Sequence, residues 1–184
     1  MTTDSDAKYL DLFPGWLRSL GEDGEGLVNV IASDTVADPA RRALAGGLNY
    51  LFKSLDLIPD GIDDIGYLDD AFVLRVAADL ATREDLGKVS ADDLKTVSKL
   101  ANDADAIKEF LGKEYVRLEA YVVALKKGAA RGRSVDDIVT NSAVRSEFIA
   151  DVRGFARNYT SPSFSKEVKN LIKLRAFFDA KLPR

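Results

Sequence analysis

The sequence predicts an all-α fold, a multi-helix bundle of about seven to eight helices around a buried helical hairpin. Three observations predict it. Helix-capping residues recur along the chain. Apolar residues return at three- and four-residue spacing. No long apolar–polar alternation and no Asn-Gly turn marks a hairpin of strands. The 184 residues are 46% apolar and 30% charged, a balance that suits a globular chain with a real core. Residues 1–86 read as an N-terminal helical region that contains a hairpin over 39–81. Residues 87–184 read as a C-terminal helical region packed on the first as one domain, with a seam near Leu86–Val89.

Taken in order, Tyr9, Phe13, Trp16 and Leu17 cluster around Pro14-Gly15 and predict a docking segment that joins the core. Leu27, Val28 and Ile31 predict a separate helix between Glu22 and Val36. Asp38-Pro39 predicts the next start, with Asp38 as cap and Pro39 in the first helical position. Gly46-Gly47 inside that helix costs about 1 kcal/mol each relative to Ala, a cost that close approach of another helix would justify. Pro59 keeps Ile58 out of the α region, so this helix is expected to end near Leu55. The segment Tyr67–Ala81 has 11 apolar residues among 15, which places it centrally and buried. Arg75, Asp79 and Arg83 lie four apart and are expected to pair along its one polar edge.

Ser90 and Asp93, then Ser134 and Asp137, repeat one capping device and start two further helices. Ile107, Leu111, Leu118, Val122 and Leu125 predict the longest helix, from about Asp105 to Lys127. Val144, Phe148, Val152, Phe155 and Tyr159 predict another. Ser165 is expected to cap a last helix with Val168, Leu171, Ile172 and Phe178 inward.

Composition excludes several kinds of chemistry. The chain has no Cys and no His. Disulfides, thiolate nucleophiles, Cys or His zinc sites and imidazole acid–base catalysis are therefore ruled out. The polar, acidic start and the lack of a long apolar run predict a soluble, cytoplasmic protein. The net charge of −4 hides an asymmetry. Residues 1–112 hold 11 basic and 22 acidic side chains, and residues 113–184 hold 15 and 8. Such a division can mark an end that faces nucleic acid or a membrane; the plainer expectation is packing of one half on the other, or a dimer that pairs them head to tail.

The most informative segment is Asp56-Leu57-Ile58-Pro59-Asp60-Gly61-Ile62-Asp63-Asp64-Ile65-Gly66-Tyr67-Leu68-Asp69-Asp70, with six Asp and no Lys or Arg. Asp56-Leu57-Ile58-Pro59-Asp60 and Gly66-Tyr67-Leu68-Asp69-Asp70, at this spacing, resemble the YkvA-like domain family, a bacterial and archaeal domain of unknown function. The resemblance covers about residues 39–81. It implies a helix–turn–helix hairpin and no established activity. Members are often membrane-associated. Here Ser54, Gly61 and Asp63 stand where the family tends to have Pro or apolar residues, so a membrane is not the expected partner.

Asp56, Asp60, Asp69 and Asp70 are candidate ligands for a hard cation, because Mg²⁺ and Ca²⁺ take oxygen donors. Such a site would serve a hydrolase or phosphoryl transfer. The plainer expectation is that each Asp satisfies backbone N–H groups at turns and helix ends, with no cofactor. The spacing does not fit an EF-hand, and Gly21–Gly26 lacks the lysine of a phosphate-binding loop. Lys126, Lys127, Arg131 and Arg133 are candidate anion-binding residues for nucleic acid or lipid. No nucleic-acid-binding motif accompanies them, so nucleic acid is not expected. The reading that results is a non-enzymatic interaction or scaffold module, with an unknown protein partner or self-association.

Overall fold

The computed structural model of the chain describes residues 3–184. Among them are eight α-helices: α1 (Asp4–Ala32), α2 (Asp38–Tyr50), α3 (Leu68–Thr82), α4 (Ala91–Leu111), α5 (Tyr115–Ala124), α6 (Val135–Thr140), α7 (Ser142–Asn158) and α8 (Val168–Lys181). The fold is all-α, with one two-residue pairing of strands, β1 (Ala129–Ala130) and β2 (Arg133–Ser134).

Short polar caps set several starts. Thr3 accepts from the Asp6 amide at 3.1 Å, Ser90 from Asp93 at 3.1 Å and Ser134 from Asp137 at 3.0 Å. Each satisfies an N–H group that the helix leaves free. Two expected caps differ. Ala37, not Asp38, precedes α2, so Asp38 and Pro39 both lie inside its first turn. Glu167, not Ser165, precedes α8; the Ser165 hydroxyl accepts from Asn170 instead, at 3.0 Å.

The longest helix is α1, which joins the aromatic segment and the expected second helix into one 29-residue element. Pro14 lies inside it and is buried. An interior proline costs about 3 kcal/mol. Tyr9, Phe13, Trp16, Leu17 and Leu20 are all buried around it, and each such side chain returns about 1.5–3 kcal/mol. Packing therefore overrides the break. The opposite error occurs at Asp105–Lys127. That stretch is not one helix: α4 runs on to Leu111, and Gly112 breaks it at φ 57°. Single 3₁₀ turns at Gly112–Glu114 and Leu125–Lys127 flank α5. The expected stripe stays buried because both helices face the same core.

Helix α2 ends at Tyr50, five residues before the expected stop, and Leu55 is 83% exposed. Its glycines have the packing reason that the sequence requires. A Cβ on Gly47 would lie 2.5 Å from Ala77 Cβ, and one on Gly46 would lie 3.1 Å from the backbone at Leu125–Lys126.

Helix α3 is the central element, with 12 of its 15 residues buried. It packs chiefly on α4 and α2. Arg75 does not pair with Asp79. It is fully buried and binds Asp23 at 3.2 Å and Asp103 at 3.1 Å, with the Trp16 ring 4.2 Å from its guanidinium carbon. Asp79 pairs with Arg83 at 2.8 Å. Phe13 of α1, Phe72 of α3, Phe110 of α4 and Phe178 of α8 stack or meet edge to face at 5.0–6.1 Å. Buried side chains from before and after the expected seam form one cluster. On α8, Leu171, Leu174 and Phe178 point in, and Ile172, expected inward, is 61% exposed.

Candidate functional site

The acidic segment forms the turn between α2 and α3 and the first turn of α3. Tyr67 precedes α3 in the left-handed region, at φ 67°. That bend places Asp69 and Asp70 in the buried first helical turn. Asp69 Oδ2 accepts from the Tyr50 hydroxyl at 2.5 Å and from the Ile58 amide at 3.1 Å. The Tyr50 hydroxyl in turn accepts from the Leu57 amide at 2.7 Å. Tyr50 and Asp69 thus clamp the backbone of Leu57-Ile58 between the two helices. This is the plain role expected of such aspartates, met by Asp69.

Asp64 meets it too, accepting from the Ser165 amide at 2.6 Å, whereas other carboxylate oxygens of the segment are less provided for. Asp56 Oδ1, Asp69 Oδ1 and Asp70 Oδ2 are buried without a hydrogen-bond partner. None of Asp56, Asp60, Asp69 and Asp70 makes an ion pair among the described residues. The three arginines of the hairpin go elsewhere: Arg41 to the Ser33 carbonyl, Arg42 to Asp136, and Arg75 to Asp23 and Asp103.

Burial pushes the Asp69 carboxyl up to about 6. Burial, then the charges of Asp69 and Asp60, push Asp56 up to about 7, against the pull of Lys53. Burial and the neighbouring carboxylates hold Asp70 well above the usual carboxylate range. The N-terminal end of α3 favours negative charge by about 0.3–1 kcal/mol. A rise of two pH units corresponds to roughly 3 kcal/mol against ionisation, so desolvation wins. Among the described residues no group of three or more Asp, Glu, His or Cys side chains is arranged to hold a metal ion. Asp60 is exposed and stands at the edge of the turn.

The four basic candidates have different settings. Lys126 and Lys127 are exposed in the turn after α5. Arg131 occupies the β1–β2 turn at φ 50°, with its guanidinium carbon 4.7 Å from the Phe52 ring. Arg133 turns inward, 11% exposed, and binds Asp151 at 2.7 Å beside Phe52 and Phe148.

A further surface was not read from the sequence. A cavity of about 430 Å³ lies where the start of α2, the end of α3 and α5 meet. Pro39, Ala43, Leu80, Val122 and Val123 give it an apolar lining, and Asp38, Arg42, Arg83, Glu84 and Lys126 its charged rim. Beside it α5 presents Val116, Ala120, Val123 and Ala124 to solvent, Val116 being 72% and Val123 38% exposed. The signal was present in these residues at i, i+4, i+7 and i+8. It was masked because α5 was taken as the tail of a longer helix. Tyr50 was missed as well, since nothing local marks a tyrosine that reaches residues 57 and 69.

Residues 40–75 match the model of a family described as a protein of unknown function, DUF1232. The match falls on α2, the acidic turn and the first half of α3, and is consistent with the YkvA-like resemblance. No curated protein and no solved structure matches the chain. No helix among the described residues is long and apolar enough to cross a membrane.

Proposed function

We propose that the protein is a helical interaction module, with its docking surface formed by the outer face of α5 and the adjoining cavity. The observation that carries this reading is the run of uncharged, exposed Val116, Ala120, Val123 and Ala124 beside an apolar cavity. Exposed apolar area gathered next to a concave site marks an interaction surface more often than scattered single residues do. The start of α2 and the end of α3 supply one wall and α5 the other.

Charge selects the occupant. Lys113 before α5 and Lys126 and Lys127 after it make no ion pair among the described residues. Two copies paired antiparallel through α5 would set these lysines against one another, which is unfavourable. An amphipathic helix of a partner protein, apolar on one side and acidic at its flanks, meets both features. The test replaces Val116 and Val123 with Asp together. Both are exposed, so the variant is expected to keep its circular dichroism and melting temperature and to lose its co-purifying partner. An unchanged complex would contradict the reading.

A second reading has one observation in its favour. Three buried carboxylate oxygens on Asp56, Asp69 and Asp70 lack partners, and oxygen donors of this kind are what Mg²⁺ or Ca²⁺ takes. Calorimetric titration of EDTA-treated protein with either ion, beside Asp60→Asn and Asp69→Asn, checks it. Saturable binding lost in folded variants supports a cation site. Absence of binding leaves the carboxylates as a folding device.

A further inference from the structure

A second cleft, of about 500 Å³, lies between the α2–α3 turn, the β1–β2 turn and α7. Its volume is in the range of small-molecule sites. Its lining includes Asp60 and Tyr67 from the acidic turn, and Arg131 from the basic loop. Arg157 of α7 adds a second guanidinium, and Phe52 and Phe155 join Tyr67 in an aromatic wall.

Three of the four charged side chains that line this cleft make no ion pair among the described residues. Asp151, also in the lining, is held by Arg133. Asp60, Arg131 and Arg157 make no ion pair among the described residues, with one another or with any other group. A carboxylate and two guanidiniums thus share one concave site without closing on each other. Behind them, Arg133 Nε and Nη2 are buried with no partner. Among the described residues, Tyr67 and Arg131 are two of the three non-glycine residues with positive φ, at 67° and 50°. Such backbone is costly and tends to persist where a site requires it. In Arg131 it carries the guanidinium over Phe52.

We infer that this cleft binds a small zwitterion with a planar or apolar part. Its anionic group meets Arg131 and Arg157, its ammonium meets Asp60, and its apolar part lies on Phe52, Tyr67 and Phe155. Guanidinium accepts carboxylate and phosphate alike, so the anion is a carboxylate or a phosphate. The inference is independent of the α5 docking surface.

The test is isothermal titration calorimetry of the full-length protein with four probes. L-phenylalanine carries both charges and a ring. Hydrocinnamate lacks the ammonium, and phenethylamine lacks the carboxylate. Phosphoethanolamine carries both charges with phosphate as the anion. Saturable binding of either zwitterion is expected, with each one-charge probe weaker by about tenfold or more, the loss that follows removal of a charge-assisted contact. Tighter binding of phosphoethanolamine assigns the anion as phosphate. Arg131→Gly and Asp60→Asn are each expected to weaken binding about tenfold, and Lys173→Gln, exposed on α8 and outside the cleft lining, to leave it unchanged. Glycine suits the left-handed turn position, so Arg131→Gly keeps the fold. The inference is overturned if neither zwitterion binds at about 10 mM, beyond the weak end of the affinity scale. Equal binding of a one-charge probe, or indifference to both cleft variants, overturns it as well.

Discussion

Tyr50 and Asp69 tie the turn to both helices through three hydrogen bonds, at 2.5, 2.7 and 3.1 Å. Tyr50→Phe removes the hydroxyl and leaves the buried Leu57 amide without its acceptor. The expected loss is about 1–3 kcal/mol of unfolding free energy, measured in urea. A change below about 0.5 kcal/mol, the range of ordinary surface substitutions, would contradict the clamp. The carboxylates around it predict an unusual pH dependence. Asp56 rises to about 7 and Asp69 to about 6, from an ordinary value of 3.8. Asp70 is raised as well. The folded chain therefore holds more protons than the unfolded chain across this window, and these groups make stability fall as pH rises through it. Asp70→Asn is expected to flatten that fall and to raise the melting temperature at alkaline pH. An identical slope in wild type and variant would remove Asp70 from the cause. At Arg75, two carboxylates share one buried guanidinium. Arg75→Ala leaves Asp23 buried and unpaired, and about 3–5 kcal/mol is the expected loss on chemical denaturation.

At the scale of elements, two glycines divide the work that the sequence could reveal from the work it could not. Gly47→Ala gains about 1 kcal/mol of helix propensity. It also drives a Cβ to 2.5 Å from Ala77 Cβ, and overpacking of that kind costs about 1–3 kcal/mol. Net destabilisation is expected, with recovery in the Gly47→Ala, Ala77→Gly pair. A stabilised single variant would contradict the close α2–α3 contact. The need for that contact was legible, because Gly46-Gly47 inside a helix demands a reason. Caps at Ser90 and Ser134 and the burial of α3 were legible too, since each rests on local chemistry or on periodicity. What escaped depends on the balance between local and tertiary terms. Pro14 stands inside α1, where the surrounding aromatic burial overrides its local penalty. Gly112 was passed over because the stripe stays in phase across it. Arg75 was given the neighbour four residues away, and its partners lie 52 and 28 residues distant. In the acidic segment the residues of the site were legible and their surroundings were not, because a carboxylate's protonation follows from burial that only the folded chain sets.

For the whole molecule, one buried cluster draws on every helix from α1 to α8, so the hairpin of residues 40–75 is part of a larger core. Helix α2 and the end of α3, which lies beyond residue 75, contribute one wall of the groove, and α5 contributes the other. Lys113, Lys126 and Lys127, which make no ion pair among the described residues, flank α5 beside its apolar face. The most direct test of docking at this surface is site-specific photo-cross-linking in producing cells. A photoreactive residue replaces Val123 in one strain, and Ile172, exposed on α8, in another. The account predicts one defined adduct at position 123, absent at position 172, whose cross-linked peptide is amphipathic and acidic. No adduct at 123, or the same adducts at both positions, would contradict it.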